Sequence, residues 1–169
     1  MQEYNLTQLT FLVLERHLLI RNLLTQVFQE FGVATELSTP DTEIAYDMFM
    51  TNDVDIVLSD WTPEFDGLAF LKRLRQDKTS HNPFVPVIIC TAHTEMSHVA
   101  AARDMGMTEF LAKPVSAKTI YLRICAVIEN HRSFIRAGNF FGPDRRREYR
   151  NLGSPYTGVE RRLSLRIMR

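Results

Sequence analysis

The segment 55–61 constrains the fold more than any other part of the chain, because it joins a buried-strand pattern to a carboxylate. Its apolar run, Ile56 to Leu58, is typical of a strand that is covered on both faces of a parallel sheet. Asp60 follows at the carboxyl end of this run, and ligands of open α/β sheets bind in the crevice outside those ends. Asp60 could therefore be a nucleophile or a metal ligand, or it could cap the turn or helix that follows.

Strand and helix patterns alternate five times along the first 136 residues. Alternation at this spacing predicts a parallel sheet that is wrapped by helices on both faces through right-handed crossovers. We therefore predict an α/β fold, a doubly wound parallel sheet of five strands with five helices. The predicted strands are 9–14, 33–37, 55–60, 85–90 and 108–112, and the helices are 18–31, 40–52, 67–77, 93–105 and 116–136.

Two signals define the ends of the predicted helices. Pro40 is placed in the first turn of the second helix, where its missing N–H is tolerated. Ser116 is predicted to cap the fifth helix, which we expect to run to about Arg136. The buried face of the first helix is predicted from four apolar residues at helical spacing. These residues are Leu19, Leu23, Val27 and Phe31.

Four polar side chains stand at the carboxyl ends of predicted strands. Glu15, Asp60 and Thr91 end the first, third and fourth strands, and Lys113 follows the fifth. Each one alone could be an ordinary cap. Because the carboxyl ends of parallel strands meet at one edge of the sheet, we expect all four to converge on one pocket.

The chain resembles the receiver domain of two-component response regulators over about residues 8–130. The motifs that carry the resemblance are Ser59-Asp60-Trp61, Asp66-Gly67, Cys90-Thr91-Ala92 and Phe110-Leu111-Ala112-Lys113-Pro114. The resemblance implies the flavodoxin-like strand order 2-1-3-4-5. It also implies a cis peptide bond between Lys113 and Pro114, which is a bond type that tolerates the cis form.

The resemblance further implies a role for each residue of the pocket. Asp60 is the expected phosphoacceptor, which takes a phosphoryl group from a histidine kinase or a phosphotransfer protein. Lys113 is expected to pair with the phosphoryl oxygens, Thr91 to hydrogen-bond the product, and Phe110 to act as the aromatic switch. A carboxylate that attacks phosphorus gives an acyl phosphate, and the charge that develops on the oxygens requires cations nearby.

The expected Mg²⁺ site departs from the family pattern. The family places two adjacent acids after the first strand, whereas this chain has Glu15 followed by Arg16. The expected ligands are therefore Glu15, Asp60 and the backbone carbonyl of Thr62. The position of Thr62 depends on a loop, from Asp60 to Gly67, that is one residue shorter than the usual pattern.

Arg16 leaves three hypotheses open. In the first, the pocket is phosphorylated and binds metal weakly, because Asp60, Thr91 and Lys113 are all present. Arg16 could instead pair bidentately with Asp60 and leave a pseudo-receiver scaffold that is not phosphorylated. Its side chain could also point to solvent. We favour phosphorylation.

Charge divides the chain into two parts, although the formal net charge is zero. Residues 1–130 carry 10 Lys and Arg against 17 Asp and Glu, whereas residues 131–169 carry 10 Arg against 3 acids. We therefore predict a receiver domain at 1–136 and a basic tail at 137–169.

The predicted tail contains one pattern twice, at 140–146 and 156–162: an aromatic residue, any residue, Gly, any residue, an acid and two arginines. The tail could be disordered, or it could dock on acidic groups through its paired arginines. A nucleic-acid adaptor is a third alternative, ranked lower because no fold presents the arginines. The predicted tail contacts are Arg145, Arg146, Arg161 and Arg162.

Cysteine, histidine and hydropathy patterns set the remaining expectations. The sequence contains no run of 18 apolar residues and no signal peptide. Cys90 and Cys125 lie in apolar runs, which predicts buried free thiols in a reducing compartment. We therefore expect a cytoplasmic location. The five histidines lack zinc-ligand spacing and are expected at the surface or in loops.

The expected function is signal relay by a stand-alone receiver that acts through protein–protein contacts. We expect no enzymatic activity beyond its own phosphorylation and dephosphorylation. A downstream protein is expected to be the output partner, and a homodimer is expected to form through the fourth helix, the fifth strand and the last helix. We expect neither a membrane nor a nucleic acid to be a partner.

Overall fold

The computed structural model describes residues 4–62, 65–130 and 132–144, and strands and helices alternate as predicted from β1 to α5. The paired arginines of the predicted tail and the second copy of its repeated pattern lie outside the described residues. The elements are β1 (Thr10–Leu14), α1 (Leu18–Glu30), β2 (Thr35–Thr39), α2 (Thr42–Thr51), β3 (Ile56–Asp60), α3 (Gly67–Gln76), β4 (Val87–Thr91), α4 (Met96–Asp104), β5 (Glu109–Ala112), α5 (Ala117–Glu129), β6 (Phe134–Ala137) and β7 (Phe140–Pro143).

The five-stranded sheet has the order β2-β1-β3-β4-β5, and every neighbouring pair of strands is parallel. The predicted doubly wound α/β fold and its strand order are therefore confirmed. None of the described helices has the length and apolar character that crossing a bilayer requires.

Alternate residues of the central strands enter two separate apolar cores, because successive side chains of a strand point to opposite faces. In β1, Phe11 and Val13 join the core beneath α1 and α5. Leu12 and Leu14 join the other core, which is covered by α2, α3 and part of α4. Burial on both faces is why these strands appear in the sequence as continuous apolar runs.

The predicted inner face of α1 was wrong at Leu19 and Leu23, whereas Val27 is buried and Phe31 is partly buried against the core. Leu19 is 83% exposed and Leu23 is 43% exposed, whereas Leu24, Val27 and Phe28 are buried. This helix carries leucines on more than one face, so helical spacing alone fits two neighbouring stripes. Ring packing selects the stripe in the folded chain, since the ring centroids of Phe28 and Phe11 are 4.7 Å apart.

The ends of two helices also differ from the prediction. Pro40 precedes α2 rather than opening it, because the side chain of Asp41 caps the helix by accepting from the N–H groups of Glu43 and Ile44. Ser116 caps α5 as predicted, in a capping box with Thr119. This helix ends at Glu129 instead of near residue 136.

A β-hairpin follows α5, formed by the antiparallel strands β6 and β7. Gly138 turns between them with a φ of 57°, a conformation that glycine adopts at little cost. The predicted boundary between residues 136 and 137 falls inside β6, and the first five residues of the first tail pattern lie in or next to β7. This part of the predicted tail is folded.

The hairpin packs against the end of the sheet that is opposite Asp60. The rings of Phe134 and Phe141 lie 5.4 and 5.3 Å from the ring of Phe84, which precedes β4. A Cβ on Gly106 would lie 2.6 Å from the carbonyl oxygen of Phe141, so the hairpin backbone needs a glycine there.

Arg75 joins the hairpin to the body of the fold from a fully buried position. Its Nε donates to the carbonyl of Gly106 at 3.0 Å, and its Nη1 donates to the carbonyls of Pro83 and Val85 at 2.9 and 2.7 Å. The guanidinium also lies 5.1 Å from the ring centroid of Phe134. Burial lowers the pKa of Arg75 to about 9, so the group remains a cation at neutral pH.

Arg75→Ala should lower the free energy of unfolding by about 3 kcal/mol or more, because it leaves buried carbonyls without donors and opens a cavity. Arg123→Ala is the control, since Arg123 is 47% exposed and makes one 3.5 Å contact with Glu109. That change should cost less than about 1 kcal/mol. Urea unfolding of both variants measures the difference, and equal losses would contradict the structural role of Arg75.

Candidate functional site

Lys113 brings two acids together at the carboxyl edge of the sheet. Its ammonium donates to Oε2 of Glu15 and to Oδ1 of Asp60, at 2.7 Å in each case. The three residues lie at the carboxyl ends of three different strands. Asp60 and Glu15 lie 53 and 98 positions before Lys113 in the sequence. The structure thus brings three of the four predicted pocket residues, Glu15, Asp60 and Lys113, together by hydrogen bonds.

Strand register explains why these side chains meet. Leu14 pairs with Ser59 across β1 and β3, so the residues that follow them, Glu15 and Asp60, stand side by side. On the other side, Thr91 pairs with Ala112 across β4 and β5, which puts Lys113 one residue beyond. The predicted cis peptide bond after Lys113 is confirmed.

Asp60 is buried, with 1% of its surface exposed. Its Oδ1 accepts from Lys113, but its Oδ2 has no hydrogen-bond partner among the described residues. A buried carboxylate oxygen without a partner is costly, so it is an uncommon feature in a folded chain. This buried oxygen is therefore a candidate ligand for a cation.

Lys113 is the cation that balances the two acids. Burial acts to lower the pKa of its ammonium, but hydrogen bonds and charge from Asp60 and Glu15 outweigh burial and raise that pKa. A raised pKa means that the protonated form is stabilised in the folded state, so the ion pair is intact at neutral pH. The stability that it contributes is lost only as the pH rises through the raised pKa.

Glu15 is held in place from three directions. Its Oε2 accepts from Lys113, and its Oε1 accepts from the backbone N–H of His17 at 2.9 Å. Its backbone carbonyl accepts from Nη1 of Arg21 at 2.8 Å. Each carboxylate oxygen of Glu15 is therefore already in a hydrogen bond.

Thr91 ties the end of β4 to the end of β3. Its hydroxyl donates a short hydrogen bond to the carbonyl of Trp61 and accepts from the backbone N–H of His93 at 3.0 Å. The hydroxyl is thus beside the pocket, and it is committed to the residue after Asp60 rather than to Asp60 itself. Phe110, the predicted switch residue, is half-buried against the core beneath α2 and α3.

The hypothesis that Arg16 pairs bidentately with Asp60 is not supported. Both residues are described, and Oδ2 of Asp60 has no hydrogen-bond partner in the described part of the chain. The side chain of Arg16 is exposed, at the start of the loop between β1 and α1.

The loop after Asp60 closes tightly through Thr62. The carbonyl of Thr62 accepts from the N–H of Phe65 at 3.0 Å, so the predicted third metal ligand is engaged in a turn. Gly67 then passes directly under the pocket, and a Cβ at this position would lie 2.0 Å from the carbonyl oxygen of Asp60. That close approach is the physical reason for the Asp66-Gly67 motif.

A second polar cluster beside the pocket was missed from the sequence. His93, Glu95 and His98 converge around Trp61, although the histidines were expected to be ordinary surface or loop residues. The spacing of two, then three residues matches no common zinc pattern. The convergence depends on where α4 begins, and the predicted helix started three residues earlier than the observed one.

Comparison with known proteins identifies the family of the chain. The family model for the response regulator receiver domain matches residues 11–125. The transcriptional regulatory protein BasR of Escherichia coli is 36% identical over 76 residues, which cover 45% of this chain and 32% of BasR. The chemotaxis protein CheY-3 of Vibrio cholerae is 24% identical over 111 residues, which cover 65% of this chain and 84% of CheY-3.

A solved structure shares the fold. The chemotaxis protein CheY4 of Vibrio cholerae superimposes with a TM-score of 0.64 at 22% identity, covering 70% of this chain and 98% of CheY4. The chain spans about a third of the length of BasR, so the match to that protein concerns one part of it. With the family model, the strand order and the pocket at the strand ends in agreement, the chain belongs to the response regulator receiver domain family.

Proposed function

We propose that Asp60 accepts a phosphoryl group from a histidine kinase or a phosphotransfer protein, and that the chain relays the signal through protein–protein contacts. The observation that carries this proposal is the environment of the Asp60 carboxylate. Asp60 is buried, one of its oxygens is held by Lys113, and the other has no hydrogen-bond partner among the described residues.

The proposed reaction is a transfer between two nucleophiles. One oxygen of the Asp60 carboxylate attacks phosphorus and forms a P–O bond, while the P–N bond of the phosphohistidine breaks and its electron pair stays on the imidazole nitrogen. Negative charge on the phosphoryl oxygens would be met by the ammonium of Lys113, which is preorganised between two acids. Hydrolysis of the acyl phosphate by water would return the pocket to its resting state.

Mg²⁺ fits the pocket through one oxygen. Oδ2 of Asp60 is a buried carboxylate oxygen that lacks a partner in the described chain, and Mg²⁺ prefers such oxygens with water completing its shell. When bound, the ion would supply positive charge opposite the incoming phosphoryl group. Glu15 and Thr62 already use their oxygens in hydrogen bonds, so we expect weak affinity, with Lys113 competing for the same acids.

Thr91 would convert phosphorylation into a change of shape. The acyl phosphate adds a charge of about −1.5 to −2, and its oxygens would attract the hydroxyl of Thr91 away from the carbonyl of Trp61. His93 would follow, because its N–H donates to the same hydroxyl. We propose that this shift, together with Phe110, biases the face formed by α4, β5 and α5 between two states.

The start of α1 is the surface that we propose for the phosphoryl donor. Leu18 and Leu19 are 59% and 83% exposed, directly after the loop that carries Glu15, and Leu23 continues the stripe at 43%. Large apolar side chains exposed together mark interaction surfaces. A donor that packs on them would approach the carboxyl edge of the sheet.

Three further features complete the proposal. β5 is an edge strand of the sheet, and Met96 and Leu122 are 83% and 45% exposed on the flanking helices, which supports a homodimer through this face.

Cys90 and Cys125 are buried free thiols, which supports a reducing, cytoplasmic compartment. The paired arginines of the tail, Arg145 and Arg146 in the first copy, are proposed to contact acidic groups of a protein partner.

Acetyl phosphate with Mg²⁺ should label the wild-type chain, and Asp60→Asn should abolish the label. Asp47→Asn, at an exposed position on α2, is the matched control and should be labelled like the wild type. Phosphate-affinity gel electrophoresis measures the labelled fraction. Absence of labelling with every donor, together with no change of Trp61 fluorescence on addition of Mg²⁺, would instead support the pseudo-receiver hypothesis.

Lys113→Ala should destabilise the chain by about 3 kcal/mol, because it leaves Glu15 and Asp60 buried without their cation. Added Mg²⁺ should then stabilise this variant more than the wild type, since the metal no longer competes with the ammonium. Thermal unfolding with and without Mg²⁺ measures both effects. An equal response of the two proteins to Mg²⁺ would refute the competition.

Beryllium fluoride, which mimics an aspartyl phosphate, should strengthen self-association of the chain at least about tenfold, a change of about 1.4 kcal/mol. Leu122→Ser should weaken the induced dimer, whereas Leu19→Ser, on α1 and outside the face formed by α4, β5 and α5, should leave it unchanged. Sedimentation velocity measures the distribution between monomer and dimer. The same distribution with and without beryllium fluoride would rule out a phosphorylation-driven dimer.

A further inference from the structure

His93, Glu95 and His98 form a cluster whose ligating atoms all lie within 4.8 Å of one another. Nδ1 of His98 and Oε2 of Glu95 are 2.8 Å apart. Both histidines are half-buried, whereas Glu95 is exposed. Two imidazoles and a carboxylate are the ligand types that bind divalent transition metals, and the distances require only small side-chain rotations to close on one ion.

Glu95 occupies a helix terminus without capping it. It is the N-cap residue of α4, yet its side chain makes no capping hydrogen bond in the described structure. The carboxylate is directed instead to His98, in the first turn of the same helix. A cap normally uses its side-chain oxygen on the first N–H groups, so this geometry leaves the carboxylate for another ligand.

Trp61 forms an apolar wall beside the two histidines. Its ring centroid lies 4.9 Å from that of His98 and 6.3 Å from that of His93, and the two imidazoles are 5.7 Å apart. Trp61 is only 7% exposed. The backbone N–H of His93 is also fixed, because it donates to Thr91. Ring packing on Trp61 thus positions both imidazoles, and the hydrogen bond to Thr91 fixes the backbone of His93.

We propose that His93, Glu95 and His98 bind a divalent transition metal of the zinc class, with water in the remaining coordination position. Nitrogen ligands favour zinc over Mg²⁺, which prefers an all-oxygen shell. The proposed ion takes the place of the hydrogen bond between Nδ1 of His98 and Oε2 of Glu95. The site is separate from the Asp60 pocket, because it uses none of Glu15, Asp60 or Lys113.

The proposed site lies in the segment that the phosphorylation switch would move. The ion would link the loop after Thr91 to the first turn of α4. If the proposed function holds, zinc binding and phosphorylation would therefore influence each other, and by linkage the effect would be reciprocal. The binding itself does not rest on phosphorylation and is tested on the unphosphorylated chain.

The test is a zinc titration of the full chain without an affinity tag, in competition with a chromophoric chelator. We expect one equivalent of Zn²⁺ to bind, with His93→Gln and His98→Gln each weakening the affinity at least about tenfold. His81→Gln is the matched control, because His81 is exposed and stacks on Phe49. It should bind like the wild type, and circular dichroism checks that each variant is folded.

Asp60→Asn separates the two sites. Unchanged zinc affinity in this variant supports the histidine site, even where phosphorylation is abolished. Loss of binding in Asp60→Asn but not in His93→Gln would overturn the proposal, since the ion would then occupy the acidic pocket. Equal affinity in the wild type and in both histidine variants, or no binding at all, would overturn it as well.

Fluorescence provides a second readout, because Trp61 is the single tryptophan of the chain. Co²⁺ bound beside the ring should quench its emission in a saturable way, and Zn²⁺ should restore the emission by displacing Co²⁺. The quenching should be lost in His98→Gln and retained in His81→Gln. Saturable quenching of the same size in His98→Gln would contradict the site.

Discussion

The charge balance around Lys113 is the interaction on which the pocket depends. Two acids meet at the rim of the sheet, and a single ammonium holds one oxygen of each. Without that cation, two buried carboxylates would repel each other and lose solvation together. With it, one oxygen of Asp60 remains uncommitted, and a stable fold can thereby carry a nucleophile in its interior.

The two ends of the sheet are built from different kinds of residue. The carboxyl end holds the charged pocket, with Thr91 and the loop before α4 beside it. The amino end is closed by the β6–β7 hairpin, three aromatic rings and the buried Arg75. Because the hairpin packs away from Asp60, it adds contacts to the domain without covering the pocket.

The sequence was sufficient to predict the strand order through the family resemblance, and the pocket through the polar residues after apolar runs. It was not sufficient for the inner face of α1, where leucines on two stripes leave the choice to the packing of Phe28. It also missed the hairpin after Glu129 and the His93–Glu95–His98 cluster. Both depend on tertiary contacts, with Phe84 and with Trp61, that no local pattern contains.

The central claim is that the carboxylate at position 60 is the phosphoryl acceptor. Borohydride reduces an aspartyl phosphate to homoserine, so peptide mass spectrometry after reduction identifies the modified residue directly. We expect homoserine at position 60 in protein treated with a phosphoryl donor, and none in untreated protein. Homoserine at another aspartate, or at no position although the donor is consumed by the chain, would contradict it.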